Sequence, residues 1–440
     1  MIRYIPTLTI SILFAGLTHN ALADDARSLG LGGSAIAHGA GVHGAYENPA
    51  SLMFQQRSGY TTHVHFGGLA DVRDNSALIE AITDDTDLAD DIEAEIEDLS
   101  GQAVQCLQTL NDPNSVCYSG TGNLGALAND VVEILDLADG NSVSGGGSLD
   151  FGLALTQTPI PFAVHLRTSV VASGTPAIAS GDRDYINQFA ESLADGDLTV
   201  GEIQNNDAFS IGDDGSLQVV QPEDILESEI QGVALLRTQV GVSLAHTFEV
   251  GGRSIDFGIT PKISALRAAN INASISENFD DQSDSLSDQF SDSEESSTSI
   301  TVDIGMALPL DSSPLAIGVV LRNAIPENIK TANGFKVETT PQLVVGTAYP
   351  LGPVVFTADA ALNSAKVDNL ETQRLAIGAE FSLNFLRLRA GLSHDAKRDE
   401  DASAMSIGMG LGPLQIGARL AGDSITSFTS QIGAQLSYSF

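Results

Sequence analysis

The segment Thr298–Leu310, TSITVDIGMALPL, alternates large apolar residues with small or polar ones. Side chains on a β-strand point alternately to its two faces, so one face here would be apolar and the other small and polar. The apolar face would carry Ile300, Val302, Ile304, Met306 and Leu308. The same alternation recurs in about fourteen segments of roughly 8–13 residues, beginning near residues 58, 147, 160, 235, 254, 298, 314, 342, 353, 373, 385, 404, 413 and 428. This length suits strands that cross a bilayer at a tilt.

Two folds use such strands, a soluble sandwich and a membrane barrel. The polar face of a sandwich meets bulk water and should be rich in Lys, Glu and Thr, whereas here it is mostly Gly, Ala and Ser. Charges on the strands fall on that same face, and facing lipid at mid-membrane each would cost about 2–4 kcal/mol. They are Asp150, Arg167, Arg237, Asp256, Asp303, Arg322, Asp359, Arg374, Glu380, Arg387, Arg389 and Arg419. We therefore predict an all-β fold, a transmembrane antiparallel β-barrel of about 14 strands with these charges in its lumen. Solvent-facing charges on a soluble sheet are the alternative.

The composition narrows the class of protein. Hydrophobic residues make up 42% of the chain, charged residues 18%, and 43 residues are glycine. Beyond the N-terminus no segment approaches the roughly 18 unbroken apolar residues of a membrane helix. The net charge of −37 argues against binding to nucleic acid, which needs a basic surface. Residues 1–23 have the positive start, the short apolar core and the small-residue site Ala21-Leu22-Ala23 of a secretory signal peptide, which predicts export.

The glycine-rich stretch Gly39–Gly44, GAGVHG, fits the G-x-G-x-x-G spacing of dinucleotide-binding domains. That fingerprint requires a buried strand leading directly into the first glycine and a helix after it. The preceding ADDARSLGLGGSAIAH is polar and then rich in Gly and Ala, so it offers no such strand. We therefore expect no nucleotide cofactor, and the sequence indicates no other cofactor.

Catalytic and metal-binding signals are also weak. No G-x-S-x-G occurs, which removes the usual serine-hydrolase motif. His63 and His65 would share one strand face, but two imidazoles leave a metal site without its remaining ligands, so we interpret them as polar lumen residues. The run Asp84–Asp87 lacks the glycine and glutamate of an EF-hand loop, and loose binding of divalent cations by its carboxylates is the alternative. The prediction is a protein that is not an enzyme and has no specific metal site.

Three long acidic excursions interrupt the strands, at about residues 71–146, 173–232 and 268–298. Helices are expected near Leu88–Leu99 and Tyr185–Leu193, and a solvated loop over 277–298. Outer-membrane barrels place long loops outside the cell and short turns in the periplasm. The tight turns Leu351-Gly352-Pro353 and Leu411-Gly412-Pro413 should therefore mark the rim opposite the excursions.

The order of several segments carries a family resemblance. The N-terminal RSLGLGGSAIAHGAGVHGAYENPASL resembles the start of mature FadL-like outer-membrane barrels. In the second half, GVVLRNAIPENI, TTPQLVVGTAY, FTADAALNSAKV, RLAIGAEF and LRLRAGLS follow in the order of the barrel-type conjugal transfer protein TraF family. Asn323-Ala324-Ile325-Pro326 departs mildly from that family's Asn-Leu-Ile-Pro. The likeness spans about residues 26–70 and 300–440, and the middle of the chain is too divergent to compare.

The resemblance implies a hatch, which is an N-terminal segment folded into the lumen. Asn48, Pro49 and Ala50 match its motif, with an ordinary periplasmic tail ending in an Asn-Pro turn as the alternative. The implied organisation is a signal peptide 1–23, a hatch 24–57 and a barrel 58–440.

Tyr438 and Phe440 resemble the last-strand signal read by the outer-membrane assembly machinery. Expected partners are that machinery, the lipid of a Gram-negative outer membrane and a small apolar ligand, with the chain a monomer.

Two functions follow from these expectations. The first is passage or binding of small apolar or amphipathic molecules past the hatch, and the alternative is a structural or assembly role in conjugal transfer or secretion. No residue accounts for DNA transfer, and a barrel can host many functions.

Arg387 and Arg389 would form a positive patch on one wall. That patch could hold the hatch, for example through Glu47, orient an anionic head group, or pair with a wall carboxylate such as Glu380.

Cys106 and Cys117 are the only cysteines and lie within the first excursion. Because an exported chain reaches an oxidising compartment, we predict that they form a disulfide. Labelling the unreduced, denatured protein with a thiol reagent should modify no cysteine, and labelling after reduction should modify both. Two reactive thiols before reduction would contradict the prediction.

Overall fold

The structure is a computed structural model of the 440-residue chain. It describes residues 25–39, 41–57, 59, 61–73, 112–119, 121–138, 143–193, 196–206, 208–211, 217–219, 227–274, 295–309, 314–330, 336–367, 370–398, 402–421 and 429–440. The predicted signal peptide, the predicted helix Leu88–Leu99, Asp84–Asp87 and Cys106 lie outside these residues. Most of the predicted loop 277–298 does so as well.

Most of the described residues belong to strands. Those are β1 Thr62–Arg73, β2 Val116–Ser119, β3 Val143–Leu155, β4 Phe162–Ala177, β5 Asp197–Thr199, β6 Phe209–Ile211, β7 Leu217–Val219, β8 Glu229–Val250, β9 Arg253–Ser274, β10 Glu295–Pro309, β11 Ala316–Arg322, β12 Glu327–Lys330, β13 Lys336–Thr339, β14 Gln342–Leu351, β15 Val354–Ala361, β16 Ala365–Val367, β17 Leu370–Thr372, β18 Arg374–Leu383, β19 Leu386–Asp395, β20 Ser403–Leu411, β21 Leu414–Ala421 and β22 Thr429–Ser439. The helices are α1 Ala26–Gly30, α2 Gly41–Glu47, α3 Ser51–Arg57, α4 Gly122–Ala138, α5 Ser180–Leu193 and α6 Val200–Asn205. No helix in the described ranges is long and apolar enough to cross a membrane.

Fourteen strands form one closed antiparallel barrel, in the order β1-β22-β21-β20-β19-β18-β15-β14-β11-β10-β9-β8-β4-β3. The first strand closes the circle because Phe66 faces Phe151 of β3 on one side and Leu436 of β22 on the other. A closed sheet leaves no unpaired strand edge, which a bilayer would not tolerate. The predicted fold class and strand number are confirmed.

Neighbouring residues alternate between lipid and lumen as predicted. On β22, Gln431 and Gln435 are buried, whereas the residues that follow them, Ile432 and Leu436, are 60% and 40% exposed. On β20, Ser406 is buried and Ile407 beside it is 68% exposed. The chain thus turns its apolar side chains outward and its polar ones inward, the inverse of a soluble core.

The two rims of the barrel differ as expected. At one rim, short turns join the strands, with Gly352 at φ 60° and Gly412 at φ 56°, a conformation that glycine adopts without a Cβ clash. We call this the short-turn rim. The start of the first barrel strand, Thr62, and the last residue, Phe440, meet there through a backbone hydrogen bond of 2.9 Å from the Phe440 amide. The acidic excursions leave the opposite rim, which we call the long-loop rim.

The longest strands exceed the predicted 8–13 residues. Strands β8 and β9 have 22 residues each and pair with one another from Glu229↔Ser274 to Val250↔Arg253. Alternating hydrophobicity marks only the part of a strand that lies in lipid. The part of the β8–β9 hairpin that extends beyond the bilayer is held by the backbone pairing of its two strands. It therefore does not need alternating apolar and polar residues, and the sequence did not reveal it.

The first two excursions pack together beyond the long-loop rim. Their core contains Cys117, Leu124 of α4, Leu193 of α5, Leu198 and Phe209, all buried. Helix α5 covers the predicted Tyr185–Leu193 and begins five residues earlier. Cys117 is disulfide-bonded, and its predicted partner Cys106 lies outside the described residues.

Residues 25–57, which we call the luminal segment, lie inside the barrel. Helices α1, α2 and α3 are short, and most of their residues are buried. Glycines line the wall where the segment touches it, because any side chain there would collide with the segment. A Cβ on Gly305 would overlap the side chain of Asn48, one on Gly258 would overlap the backbone of Pro49, and one on Gly408 would lie 3.0 Å from the Cα of Gly30.

Replacing Gly305 with Val should loosen the luminal segment without disturbing the barrel. Overpacking typically costs about 1–3 kcal/mol, and the added methyl groups would push Asn48 off the wall. Trypsin should then cut faster after Arg27 and Arg57 of the segment, as followed by peptide mass spectrometry. Ile300→Val on the same strand, 60% exposed toward lipid, is the control. Equal protection of both variants would contradict the close fit.

Candidate functional site

The luminal segment is attached to the wall by ionic and polar contacts around the barrel, and these contacts define the candidate site. At its start, Asp25 caps α1 by accepting a hydrogen bond from the Ser28 amide. Nε of Arg27 then lies 3.1 Å from Oε2 of Glu380. Nε of Arg389 approaches the same carboxylate at 2.7 Å, and Arg389 also donates to Gln415 at 2.6 Å. Glu380 is therefore shared between a wall arginine and a segment arginine, all of them buried or nearly so.

The middle of the segment is held through its backbone. Oδ2 of Asp359 accepts hydrogen bonds from the amides of Ala35, at 2.7 Å, and Ile36, at 3.0 Å. Arg374 donates to the carbonyl oxygen of Gly33 at 3.0 Å. These wall charges replace the backbone partners that a buried irregular chain would otherwise lack.

Asn48, Pro49 and Ala50 lie where α2 gives way to α3, and all three are buried. The Asn48 side chain donates to the carbonyls of Ile36, at 3.1 Å, and of Met306 on β10, at 3.2 Å, and accepts from the Ala50 amide at 3.1 Å. It therefore fixes the turn and ties it to the wall at once. Beside it, Glu47 forms an ion pair with Arg322 of β11.

Two further attachments involve Arg57, at the end of the segment, and Tyr46 of α2. Arg57 of α3 pairs with Asp256 through both guanidinium nitrogens, at 3.1 and 2.5 Å. Thr247 also donates to Asp256, at 2.7 Å, so this fully buried carboxylate has two partners. The guanidinium of Arg167 lies 5.6 Å above the ring of Tyr46 in α2, an arrangement that attracts cation and ring.

A histidine and carboxylate cluster joins the segment to β1 and β3. Nε2 of His43 lies 2.6 Å from Nε2 of His65 and 2.8 Å from Oδ2 of Asp150, and His65 also contacts Asp150. Burial favours the neutral imidazole of His43, but the carboxylates of Asp25 and Asp150 outweigh it and raise the pKa of His43 to about 9. Among the described residues these three side chains are the group whose ligand atoms could hold a metal ion.

The remaining predicted lumen charges have mostly wall partners. Asp303 pairs with Lys262 at 2.8 Å, and Arg237 donates to Thr339 at 3.0 Å and lies 3.7 Å from Glu327. Arg419 is buried and reaches Ser393 at 3.5 Å. Arg387 is exposed near the short-turn rim.

The partners of Arg389 and Glu47 decide between the interpretations left open by the sequence. Arg389 pairs with Glu380, the wall carboxylate that was one of the alternatives. Glu47, the other candidate partner, pairs with Arg322 instead. Arg387 therefore does not add a second charge to a buried patch beside Arg389.

Sequence reasoning missed several contributors: Asp25, Arg27, His43, Tyr46 and Arg57 of the segment, and Lys262 and Glu327 outside it. The segment residues have no strand alternation that would reveal their orientation. Lys262 and Asp256 share the inner face of β9, so its parity could have found Lys262. Glu327 begins the short strand β12, which lies outside the barrel pattern.

The last strand and the outer face complete the candidate features. Tyr438 and Phe440 stack with ring centroids 6.4 Å apart, facing outward near the short-turn rim. Strands β14 to β21 form an apolar groove of about 1470 Å³ on their outer face. Its lining includes Leu375, Ile377, Leu392, Met405, Ile407 and Leu420.

The fold and site together define a transmembrane β-barrel whose lumen holds its own N-terminal segment. The family described as "F plasmid transfer operon, TraF, protein" matches residues 45–361, well over half of the chain. The chain belongs to this TraF family, as the sequence resemblance implied. No curated protein matches the chain.

Several solved barrels have a similar overall fold. The toluene transporter TodX of P. putida is 12% identical, with a TM-score of 0.46, and the match covers 96% of this chain and 99% of that one. The toluene transporter TbuX of Ralstonia pickettii is also 12% identical, with a TM-score of 0.46 and coverage of 96% and 98%. The TodX deltaS2S3 mutant monoaromatic hydrocarbon channel has a TM-score of 0.49 at 12% identity, with coverage of 96% and 99%. Likenesses at this level say nothing about a ligand.

Removing one partner of the Glu47–Arg322 pair should release the segment more than removing an exposed pair. Their side chains are 5% and 18% exposed, and an unpaired buried charge typically costs about 3–5 kcal/mol. Arg322→Met should therefore increase tryptic cleavage at Arg57, and Glu47→Gln should partly restore protection in the double variant. Lys366→Met, which removes a more exposed pair with Glu338, is the control and should change protection little. Equal effects of Arg322→Met and Lys366→Met would count against the role given to this pair.

Proposed function

We propose that the protein is a non-enzymatic, monomeric barrel of the Gram-negative outer membrane, and that the luminal segment is its hatch. The hatch closes the lumen, and its release admits small apolar or amphipathic molecules. In this proposal residues 24–57 form the hatch, residues 58–440 form the barrel, and Asn48-Pro49-Ala50 fixes the turn of the hatch against the wall.

The observation that carries the proposal is a wall whose strand pairing closes without the segment it contains. All fourteen strands hydrogen-bond to strand neighbours on both sides, so the segment contributes nothing to closure. Eight strands already make a barrel that side chains alone can fill, and sixteen to eighteen leave an aqueous channel. A barrel of fourteen strands encloses a lumen too wide for wall side chains, and the luminal segment occupies it.

The way the segment is attached suits a part that can be released. Its described residues, 25–39 and 41–57, have no strand pairing with the wall and are held by side chains at separate points, including Glu380, Asp359, Arg322 and Asp256. Ion pairs and hydrogen bonds can exchange for water one at a time, whereas a paired strand separates only cooperatively. The hatch is therefore closed firmly and opens without unfolding the barrel.

The outer groove lies on the lipid-facing side of the barrel, where contact with lipid tails already requires its aliphatic lining. An apolar molecule dissolved in the bilayer would reach the wall at this groove. Asp359 belongs both to its lining and to the wall contacts of Ala35 and Ile36. A molecule in the groove thus lies just across the wall from the middle of the hatch.

A structural or assembly role in conjugal transfer is the second candidate. It is favoured by the family, which is named after the F plasmid transfer operon. The ion pairs that cross from the segment to the wall, such as Arg57–Asp256, favour it too. In such a role the segment would stay in place and brace the barrel.

Deleting residues 25–57 distinguishes the two functions. A hatch that closes a pathway predicts a large, steady conductance of the deletion variant in planar bilayers, where the full chain is nearly silent. Cells making the full chain should take up the apolar dye N-phenyl-1-naphthylamine faster than cells without the protein. A heat-modifiable gel band confirms that the shortened barrel is folded. A folded deletion variant that is silent, with unchanged dye uptake by the full chain, would contradict passage and favour bracing.

A further inference from the structure

The cluster of His43, His65 and Asp150 joins three separate elements of the molecule. His43 lies on α2 of the luminal segment, His65 on β1 and Asp150 on β3, and all three are buried. Their three ligand atoms lie within 4.8 Å of one another and converge on one point. Nothing in the proposed passage function requires this convergence.

The three atoms crowd one another in the absence of an ion. Each pair of them is in contact, so the arrangement has three close approaches. The Nε2 proton of an imidazolium at His43 can be donated to Asp150, but the Nε2 atoms of the two imidazoles still lie 2.6 Å apart. A cation at the centre would turn all three lone pairs into attractive contacts.

The outer atoms of the two imidazoles are arranged as they are around bound metals. Nδ1 of His43 lies 3.5 Å from the carboxylate of Asp25, and Nδ1 of His65 lies 3.0 Å from the hydroxyl of Ser437. Metal-bound histidines commonly donate their second N–H to a carboxylate or another oxygen, which fixes the tautomer that leaves Nε2 free. Ser437 supplies such an oxygen to His65, and the Asp25 carboxylate lies on the corresponding side of His43 at ion-pair distance.

The space around the cluster fits a small ion. A Cβ on Gly67 would lie 2.9 Å from Nε2 of His65 and 3.3 Å from Oδ2 of Asp150, so glycine keeps this wall position clear. A cavity of about 10 Å³ adjoins His43, Tyr46 and Asp150, close to the space that one water needs. The carboxylates of Asp25 and Asp150 together match the charge of a divalent cation.

We propose that His43, His65 and Asp150 bind a divalent first-row transition metal ion of the Zn²⁺ class, with a water as the fourth ligand. Two imidazole nitrogens and one carboxylate oxygen form a ligand set that suits Zn²⁺, and three protein ligands leave one position open. Bonds of about 2.0–2.1 Å place tetrahedral ligands about 3.3 Å apart, so the three atoms need to separate by up to about 1 Å. The ion clamps the luminal segment to two wall strands.

Zinc titration of the tag-free full chain tests the proposal. The protein is purified in mild detergent, stripped with EDTA, dialysed, and titrated with Zn²⁺ by calorimetry. Millimolar Ca²⁺ is present to occupy the carboxylates of the acidic excursions. The wild-type chain should bind one Zn²⁺, and His65→Gln and Asp150→Asn should each weaken that binding at least tenfold.

Two neighbouring histidines serve as controls. His63→Gln removes the other inward imidazole of β1, whose Nδ1 contacts Ser439. His165→Gln removes a buried imidazole that lines the same small cavity, but its Nε2 lies over Gly241 and neither ring nitrogen bonds to a proposed ligand atom. Both variants should bind Zn²⁺ as the wild type does. Wild-type-like binding by His65→Gln, or equal loss in His63→Gln, would overturn the assignment.

A second measurement, the visible absorption of bound Co²⁺, uses the wild-type chain alone. It therefore tests the proposal even if the His65→Gln and Asp150→Asn variants do not fold. Co²⁺ held by two imidazoles, a carboxylate and a water absorbs strongly in the visible range, whereas Co²⁺ on exposed carboxylates stays octahedral and nearly colourless. One equivalent of Co²⁺ should colour the stripped wild-type chain, and Zn²⁺ should remove the colour. A colourless titration would overturn the proposal, and it would leave the passage experiment with residues 25–57 deleted unaffected.

Discussion

The pairing of charge inside a low-dielectric lumen is the constraint on which the rest of this structure depends. A strand that crosses lipid must turn its charges inward, and an inward charge is costly unless a partner meets it. The wall of this barrel provides partners for some of its own charges, as Lys262 does for Asp303. Others, including Asp256, Arg322 and Asp359, are satisfied by residues 25–57. The luminal segment and the wall are therefore complementary in charge, and each accounts for the position of the other.

Small residues make this complementarity possible. The wall glycines Gly258, Gly305 and Gly408 let the segment come close enough for short side chains such as Asn48 to reach wall carbonyls. The same glycines reduce the intrinsic preference of these strands for β structure. That loss is tolerated because barrel closure and lipid contact hold the strands in place. The close packing of the luminal segment against the wall thus explains why these strands contain glycines, although glycine lowers the intrinsic preference for β structure.

Much of the fold follows from the sequence because the membrane imposes a strict period of two. The segment Thr298–Leu310 shows it plainly, and the parity of Asp303 within it gives the correct face without knowledge of any neighbour. The partners could not be predicted in the same way. Glu47 pairs with Arg322, 275 residues away, and not with Arg389, because pairing depends on how an irregular segment winds through the lumen. His43 was missed for the same reason, since only the folded segment brings it to His65 and Asp150.

The most direct test of the central claim is a cross-link between the start of the luminal segment and the inner wall. A Cβ on Gly433 of β22 would lie 3.3 Å from the Cβ of Ala26, close to the roughly 3.5–4.5 Å of disulfides. The double variant Ala26→Cys/Gly433→Cys should oxidise spontaneously in the outer membrane, and peptide mass spectrometry without reductant should find the two peptides joined. Ala26→Cys/Ile432→Cys, with the second cysteine facing lipid, should stay unlinked. Free thiols in the first variant, or linkage in both, would contradict a segment lodged against the inner wall.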